Sequence, residues 1–268
     1  MQSVAVGKHM AAPIPQETVP LNIWPCAQVP VAEQWSDGGY APGSDHFSPL
    51  VFPELARRLV ATYSSPGDVV VDAATGAGAV ATAAALLRRR AVAVAPTPAL
   101  GSLTSSNTRG LVPPAKRHLV SIHVGEPEAM TEIVPGTVDR ASLVVLALPR
   151  RRPSDGLPWD RAAIMEASRA LLAPGGCLAV VTRAEPVHGR LVDESPASIR
   201  LAEAAGLAYF QHIVVLTSSI RDGSLIADGC ALAHGERCVV THTSVLIFFK
   251  PAAVAATQRQ AFRLLQAA

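Results

Sequence analysis

Asp72, Gly76 and Gly78 stand in the run Asp72-Ala73-Ala74-Thr75-Gly76-Ala77-Gly78, directly after three valines and directly before an alanine-rich stretch. A carboxylate at the end of a buried strand, followed by glycines at the turn into a helix, suits a nucleotide-like ligand. Glycine has no Cβ, so the backbone can approach the ligand closely, and the first N–H groups of the helix are free to meet it. Two further groups could join such a site. Val124-Gly125-Glu126 sets a second carboxylate after an apolar run, and Pro149-Arg150-Arg151-Arg152 sets a basic cluster after another. A basic run beside a crevice suits the phosphates flanking a base taken out of its stack, and it equally suits a solvated loop.

Which ligand the glycines serve depends on spacing. Gly76-Ala77-Gly78-Ala79-Val80-Ala81 satisfies the dinucleotide pattern G-x-G-x-x-A. That pattern usually begins at the very end of the strand and needs an acid about 20 residues on for the ribose. Here three residues separate Asp72 from Gly76, and no Asp or Glu occurs between Ala73 and Gly125. The spacing favours the methyl donor S-adenosylmethionine over a dinucleotide, with a ligand-free glycine turn as the third reading. Asp72 has a structural alternative, capping the following helix, and Glu126 has another, a solvated charge at a strand end.

The elements that must position these groups alternate. Apolar spacing predicts a helix over 53–63, with a proline in its first turn, and a turn at Ser65-Pro66-Gly67-Asp68. Buried strands are predicted at 69–71, 91–95, 119–124, 142–148 and 177–182, with an alanine-rich helix running through about Arg90 and another helix over 159–172. A helix over 195–205, strands over 211–216 and 241–249, and a helical tail over 252–268 complete the pattern. Alternation of this kind argues for an α/β fold: a doubly wound, mostly parallel sheet of seven strands with helices on both faces. Residues 1–45 hold six prolines and two tryptophans with no sustained period, so they read as a Pro-rich arm, partly disordered, ahead of a domain over 46–251.

Composition narrows the class. With 49% apolar residues, 268 residues suffice for one sizeable core. A net charge of +2 makes no case for a strong polyanion binder, so local clusters matter more. Arg88-Arg89-Arg90 falls where cations favour a helix C-terminus, which accounts for it without nucleic acid. Cys26, Cys177, Cys230 and Cys238 show no C-x-x-C pair, which points to reduced thiols in a cytoplasmic protein. His188, His212, His234 and His242 are too scattered to argue for a metal site, and no run is long enough for a membrane span.

The run His46-Phe47-Ser48-Pro49, the helix to Tyr63, Ser65-Pro66-Gly67-Asp68, Val69-Val70-Val71-Asp72, Gly76-Ala77-Gly78 and Asn107 resemble the nucleic-acid methyltransferases that include DNA amino-methyltransferases and tRNA guanine-N2 methyltransferases. Gly189-Arg190-Leu191-Val192-Asp193 and Ile220-Arg221-Asp222-Gly223 resemble the C-terminal half of actinobacterial proteins of DNA-methylase type. The resemblance covers roughly residues 45 to 251. It implies a Rossmann-like methyltransferase fold and a nucleic-acid partner, DNA favoured over RNA. It further implies that Asp72, Gly76 and Gly78 line the methionine end of S-adenosylmethionine, that Glu126 meets the adenine, and that His46 and Phe47 belong to the same site.

The sequence departs from the family at two places. Where the second strand should end in an acid that accepts both ribose hydroxyls, it ends in Ala95. A hydrogen bond to a charged acceptor is worth about 1.5–3 kcal/mol, so its loss weakens the cofactor by about 10- to 100-fold if nothing substitutes. Where the family has Asp, Asn or Ser, then Pro-Pro and an aromatic, this chain has Ala147, Leu148, Pro149 and Arg150. Pro149 and Arg150 are then the remaining catalytic positions, with the arginine plane in place of a stacking ring. Two readings follow: a base methyltransferase with impaired catalysis, and a silent relative, or pseudoenzyme, that serves as a binding or regulatory module. Pro25-Cys26 offers the dipeptide of carbon-5 cytosine methylation, but ahead of the glycine loop.

Overall fold

The computed structural model describes residues 22–48, 50–147, 159–187, 190–226 and 241–252. Ile23–Pro25 forms β1, followed by the short helices α1 (Val31–Ser36) and α2 (Ser44–Phe47) and the longer α3 (Pro53–Tyr63). Next come β2 (Val69–Asp72), α4 (Ala79–Leu86), β3 (Arg90–Ala95), α5 (Pro98–Leu111) and β4 (Val120–Val124). The chain continues through α6 (Met130–Ile133), β5 (Ala141–Ala147), α7 (Arg161–Leu171) and β6 (Leu172–Thr182). A small hairpin, β7 (Glu185–Val187) with β8 (Arg190–Val192), precedes α8 (Ser195–Ala204) and β9 (Ala208–Leu216). A second hairpin, β10 (Ser219–Arg221) with β11 (Ser224–Ile226), precedes β12 (His242–Phe249).

Eight strands form one sheet in the order β1-β9-β12-β6-β5-β2-β3-β4. Every pairing is parallel except those of β12, which runs against both β6 and β9. Successive side chains of a strand point to opposite faces, and β2 feeds both layers of core. Val70 packs with Leu55, Leu59, Val60, Ala84, Leu143 and Val145 on one face. Val71 packs with Val144, Leu146, Ile164, Leu171 and Val180 on the other. Burial on both sides is what the three-valine run requires.

The sheet has one strand more than the sequence pattern predicts. The eighth is β1, from the arm, whose residues Ile23, Trp24 and Pro25 pair with Val214, Val215 and Leu216 of β9. The rest of the described arm packs too: Trp24, Cys26 and Trp35 are buried in the first core layer. The predicted helical tail lies outside the described residues beyond Ala252.

The alanine-rich helix also differs from its prediction, ending at Leu86 rather than near Arg90. Arg88 takes the left-handed conformation (φ 65°), its N–H donates to Ala85 O, and the Arg89 N–H reaches back to Ala84 O. That pair of bonds is a Schellman stop, made here without the usual glycine. Arg89 therefore does not decorate a helix end. It is buried, and its guanidinium donates to the Ser64 carbonyl at 2.6 Å, the Ser64 hydroxyl at 3.1 Å and the Leu87 carbonyl at 2.6 Å. Burial lowers its pKa from the ordinary arginine value.

Candidate functional site

The chain leaves β2 toward β3 on one side and returns to β5 on the other, so the order reverses beside β2. In open α/β sheets the ligand crevice lies at that reversal, beyond the carboxyl ends of the strands. The glycine loop occupies it and is tied to both flanks. Ala73 N–H donates to Val145 O on β5 at 3.0 Å, and Thr75 N–H donates to Val94 O on β3 at 2.9 Å.

Asp72 closes β2 with only 7% of its surface exposed. Burial pushes its carboxyl up to about 7, with hydrogen bonds from the Thr75 side chain and the Ala81 backbone amide opposing the shift. Ala81 is the third residue of α4, and Gly78, the N-cap, supplies no side-chain cap. Asp72 thus faces the first turn of α4 from the end of the preceding strand, where capping that helix is the structural alternative to a ligand contact. Capping and ligand contact are compatible, because a carboxylate has lone pairs for more than one donor.

Residues 41–48 cross the glycine loop. A Cβ on Gly76 would stand 1.9 Å from the Phe47 carbonyl oxygen and 2.5 Å from Ser48 Oγ, so only glycine admits this crossing. Ala77 N–H donates to Ser48 Oγ at 2.7 Å. From the other side comes α5: Thr104 Oγ1 donates to Gly76 O at 3.2 Å, and Asn107 Nδ2 donates to Ala77 O at 2.9 Å. Gly78 has φ 78°, and a Cβ there would meet Thr104 Cγ2 at 2.7 Å. The Phe47 ring remains exposed, as does His46, whose ring nitrogen Nδ1 lies 2.9 Å from Asp45.

Glu126 lies at the same edge of the sheet, beyond β4. Ala95 pairs with Val124, and Gly125 N–H donates to Ala95 O at 3.0 Å, so Glu126 follows immediately and is exposed. Ala95 itself is fully buried. Ala147 ends β5 beside Val181 of β6. Leu148, Pro149, Arg150, Arg151 and Arg152 lie outside the described residues, as do His188, His234, Cys230 and Cys238.

A separate cavity lies elsewhere. About 770 Å³ in volume, it sits between the arm, α3 and α4, against Cys26, Gln34, Tyr40, Arg57, Thr82 and Leu86. Glu33 and Asp37 of the arm line it as well, whereas Asp45 sits on the segment that crosses the glycine loop. Cys26 is buried there and its thiol is pushed up to about 11, mainly by desolvation, so it holds no thiolate near neutral pH. Among the described residues, no three His, Cys, Asp or Glu side chains gather to hold a metal ion. None of the described helices is long and apolar enough to cross a membrane.

Ser44 and Thr104 are the site residues that sequence reasoning missed, and Ser48 and Asn107 entered it only through a resemblance. No local pattern marks them, because each is polar and given meaning only by a partner 28 to 66 residues away.

The sheet order, the antiparallel β12 and the glycine loop beyond β2 define the S-adenosylmethionine-dependent methyltransferase fold. Residues 6–97 match the model of the N6/N4 DNA methylase family, a stretch that ends just past β3. Among solved structures, the chain is similar to precorrin-6y C5,15-methyltransferase from Geobacter metallireducens, at 14% identity and a TM-score of 0.53, over 81% of this chain and 96% of that one. It is similar to the [4+2]-cyclase SpnF at 15% identity and 0.52, over 75% and 80%. Geranyl diphosphate methyltransferase, in complex with GPP and sinefungin, matches at 15% identity and 0.51, over 73% and 76%. At these identities the likeness is one of fold, and a cyclase among the three shows that the fold serves more than one reaction. No curated protein matches the chain.

Proposed function

We propose that the chain binds S-adenosylmethionine in the crevice beyond β2 and descends from DNA base amino-methyltransferases, with methyl transfer impaired. The observation that carries the reading is the buried Asp72 and the glycine loop, bonded to β3 on one side and β5 on the other, in a chain whose first 97 residues include a DNA-methylase match. When bound, the cofactor supplies an electrophilic methyl group. The residues fit its two ends unequally. Asp72, Gly76 and Gly78 would meet the methionine end, where a carboxylate faces an ammonium and glycines admit close approach. Phe47, on the segment that crosses the loop, offers an exposed ring, and Glu126 a carboxylate for the adenine. The ribose end has no acid at Ala95.

On the acceptor side, an amine must shed a proton as it attacks, so an acceptor side chain and a carbonyl aimed at it are needed. Ala147 supplies no such side chain. Losing a group that hydrogen-bonds in the transition state commonly costs about 100- to 1000-fold in rate. Pro149 retains the backbone character of the motif, and Arg150, Arg151 and Arg152 supply cations for phosphate, with Arg150 able to stack on a base. DNA is the favoured partner.

The second reading is a non-catalytic binding or regulatory module, favoured by two separate losses, Ala95 and Ala147, in a chain that keeps its core. Incubation of the protein with methyl-labelled cofactor and either DNA or RNA separates the two. Slow incorporation into DNA that Ala147→Asp accelerates by about 100-fold supports impaired catalysis. No incorporation by either form, with DNA still retained, supports the module.

A further inference from the structure

Both polar groups of the Ala77 peptide, in the middle of the glycine loop, are held by residues outside the loop. Ser48 Oγ accepts its N–H at 2.7 Å, and Asn107 donates to its carbonyl at 2.9 Å. Asn107 is 2% exposed and uses its amide in three directions. Besides Ala77 O, Nδ2 donates to Ser44 Oγ at 3.0 Å, while Oδ1 accepts from Ala41 N–H at 2.8 Å. The orientation of the amide is forced, because a carbonyl can only accept and a backbone N–H can only donate. Ser44, also buried, donates in turn to Ala41 O at 2.7 Å. One side chain thus ties the start of the strap, its middle and the glycine loop together.

We propose that Asn107 is a positioning residue for the cofactor crevice: it latches residues 41–48 onto the glycine loop, so that cofactor affinity and the order of this strap depend on one another. The inference rests on the cofactor reading above. Its physical basis is linkage. A ligand that requires the loop in its latched form stabilises the latch, and breaking the latch lowers the fraction of protein competent to bind. Ser44 and Asn107 are buried beside Ala77, so an unlatched form leaves amide groups without partners and is disfavoured in the intact protein.

Asn107→Asp keeps the acceptor for Ala41 but sets a carboxylate oxygen against the Ala77 carbonyl. Asn107→Ala removes all three bonds. Leu171→Ala, in the other core layer and outside the latch, serves as a control for general loss of stability. Amide hydrogen exchange over residues 41–48 and S-adenosylhomocysteine titration, both well below the unfolding temperature, read the coupling. The expected result is faster exchange in both Asn107 variants without ligand, ligand-induced protection of 41–48 in the wild type, and affinity weakened about tenfold or more in the variants but not in Leu171→Ala. Affinity unchanged in Asn107→Ala, or lost equally in Leu171→Ala, overturns the positioning role while leaving the cofactor reading intact. No binding by the wild-type protein overturns the cofactor reading and this inference with it.

Discussion

The amide of Gly125 donates to the carbonyl of Ala95 over 3.0 Å, which sets Glu126, two residues past the end of β4, next in the chain after the residue bonded to the end of β3, the strand that lacks its acid. On this edge of the sheet, from Ala73 to Gly125, no other carboxylate precedes it. Glu126 is the first carboxylate after the glycine loop, and the acid missing at Ala95 should be restorable by substitution. Ala95→Asp is expected to tighten S-adenosylhomocysteine binding by about 10- to 100-fold, through a hydrogen bond to a charged acceptor. Titration of the two proteins side by side measures the gain, and equal affinities would show that the ribose does not lie over β3.

Asp72 makes stability depend on pH in a direction opposite to that of a salt-bridged carboxylate. Its folded value of about 7 lies above the ordinary aspartate value, so between roughly pH 4 and 7 the folded state keeps a proton that the unfolded chain has released. The contribution is fully present below about pH 4 and is lost as pH rises through 7. Across about three pH units it amounts to at most about 4 kcal/mol. Urea unfolding at pH 5 and pH 8 should show the wild type losing more stability than Asp72→Asn. Parallel losses in the two proteins would mean that the carboxyl is ionised throughout.

The glycines of the loop are not equivalent to others in the chain. Gly76→Ala must displace the Phe47 carbonyl, and Gly78→Ala combines a left-handed φ with a clash against Thr104. Each is expected to cost about 1–3 kcal/mol. Gly110, near the end of α5, has open space where a Cβ would go, so Gly110→Ala should stabilise by about 0.4–1 kcal/mol. Thermal or denaturant melts of the three variants check both signs.

At the end of α4 the two neighbouring arginines should respond oppositely. Arg88→Gly relieves a left-handed residue with φ 65° and is expected to be neutral or stabilising by up to about 1 kcal/mol. Arg89→Ala leaves the Ser64 and Leu87 carbonyls unpaired and should cost about 2–4 kcal/mol. Chemical denaturation of each variant, with DNA retention measured alongside, tests this. Loss of DNA retention without loss of stability in Arg89→Ala would contradict its burial.

The contrast between Arg88 and the loop glycines also shows what was legible in the sequence. The central strands could be read because valine runs and helical spacing are local signals, and Asp72, Gly76 and Gly78 because a turn between strand and helix restricts residue type. The pattern predicts α4 too long because its stop uses an arginine at the left-handed position, where glycine is the usual marker. β1 was not legible at all. Three residues long, it is a strand only because Val214–Leu216, far along the chain, offers an edge to pair with. Asn107 lies between these cases: its type could be seen, but its role depends on Ala41, Ser44 and Ala77 converging on one amide.

The central claim, a working cofactor crevice beyond β2, is tested most directly by calorimetric titration of the protein with S-adenosylhomocysteine, with Asp72→Ala as the comparison. The account predicts saturable binding with a dissociation constant on the order of 100 µM, weakened by the missing acid at Ala95 and lost in Asp72→Ala. No binding up to about millimolar ligand, weaker than about −4 kcal/mol, would contradict it and leave the fold as a scaffold for another role.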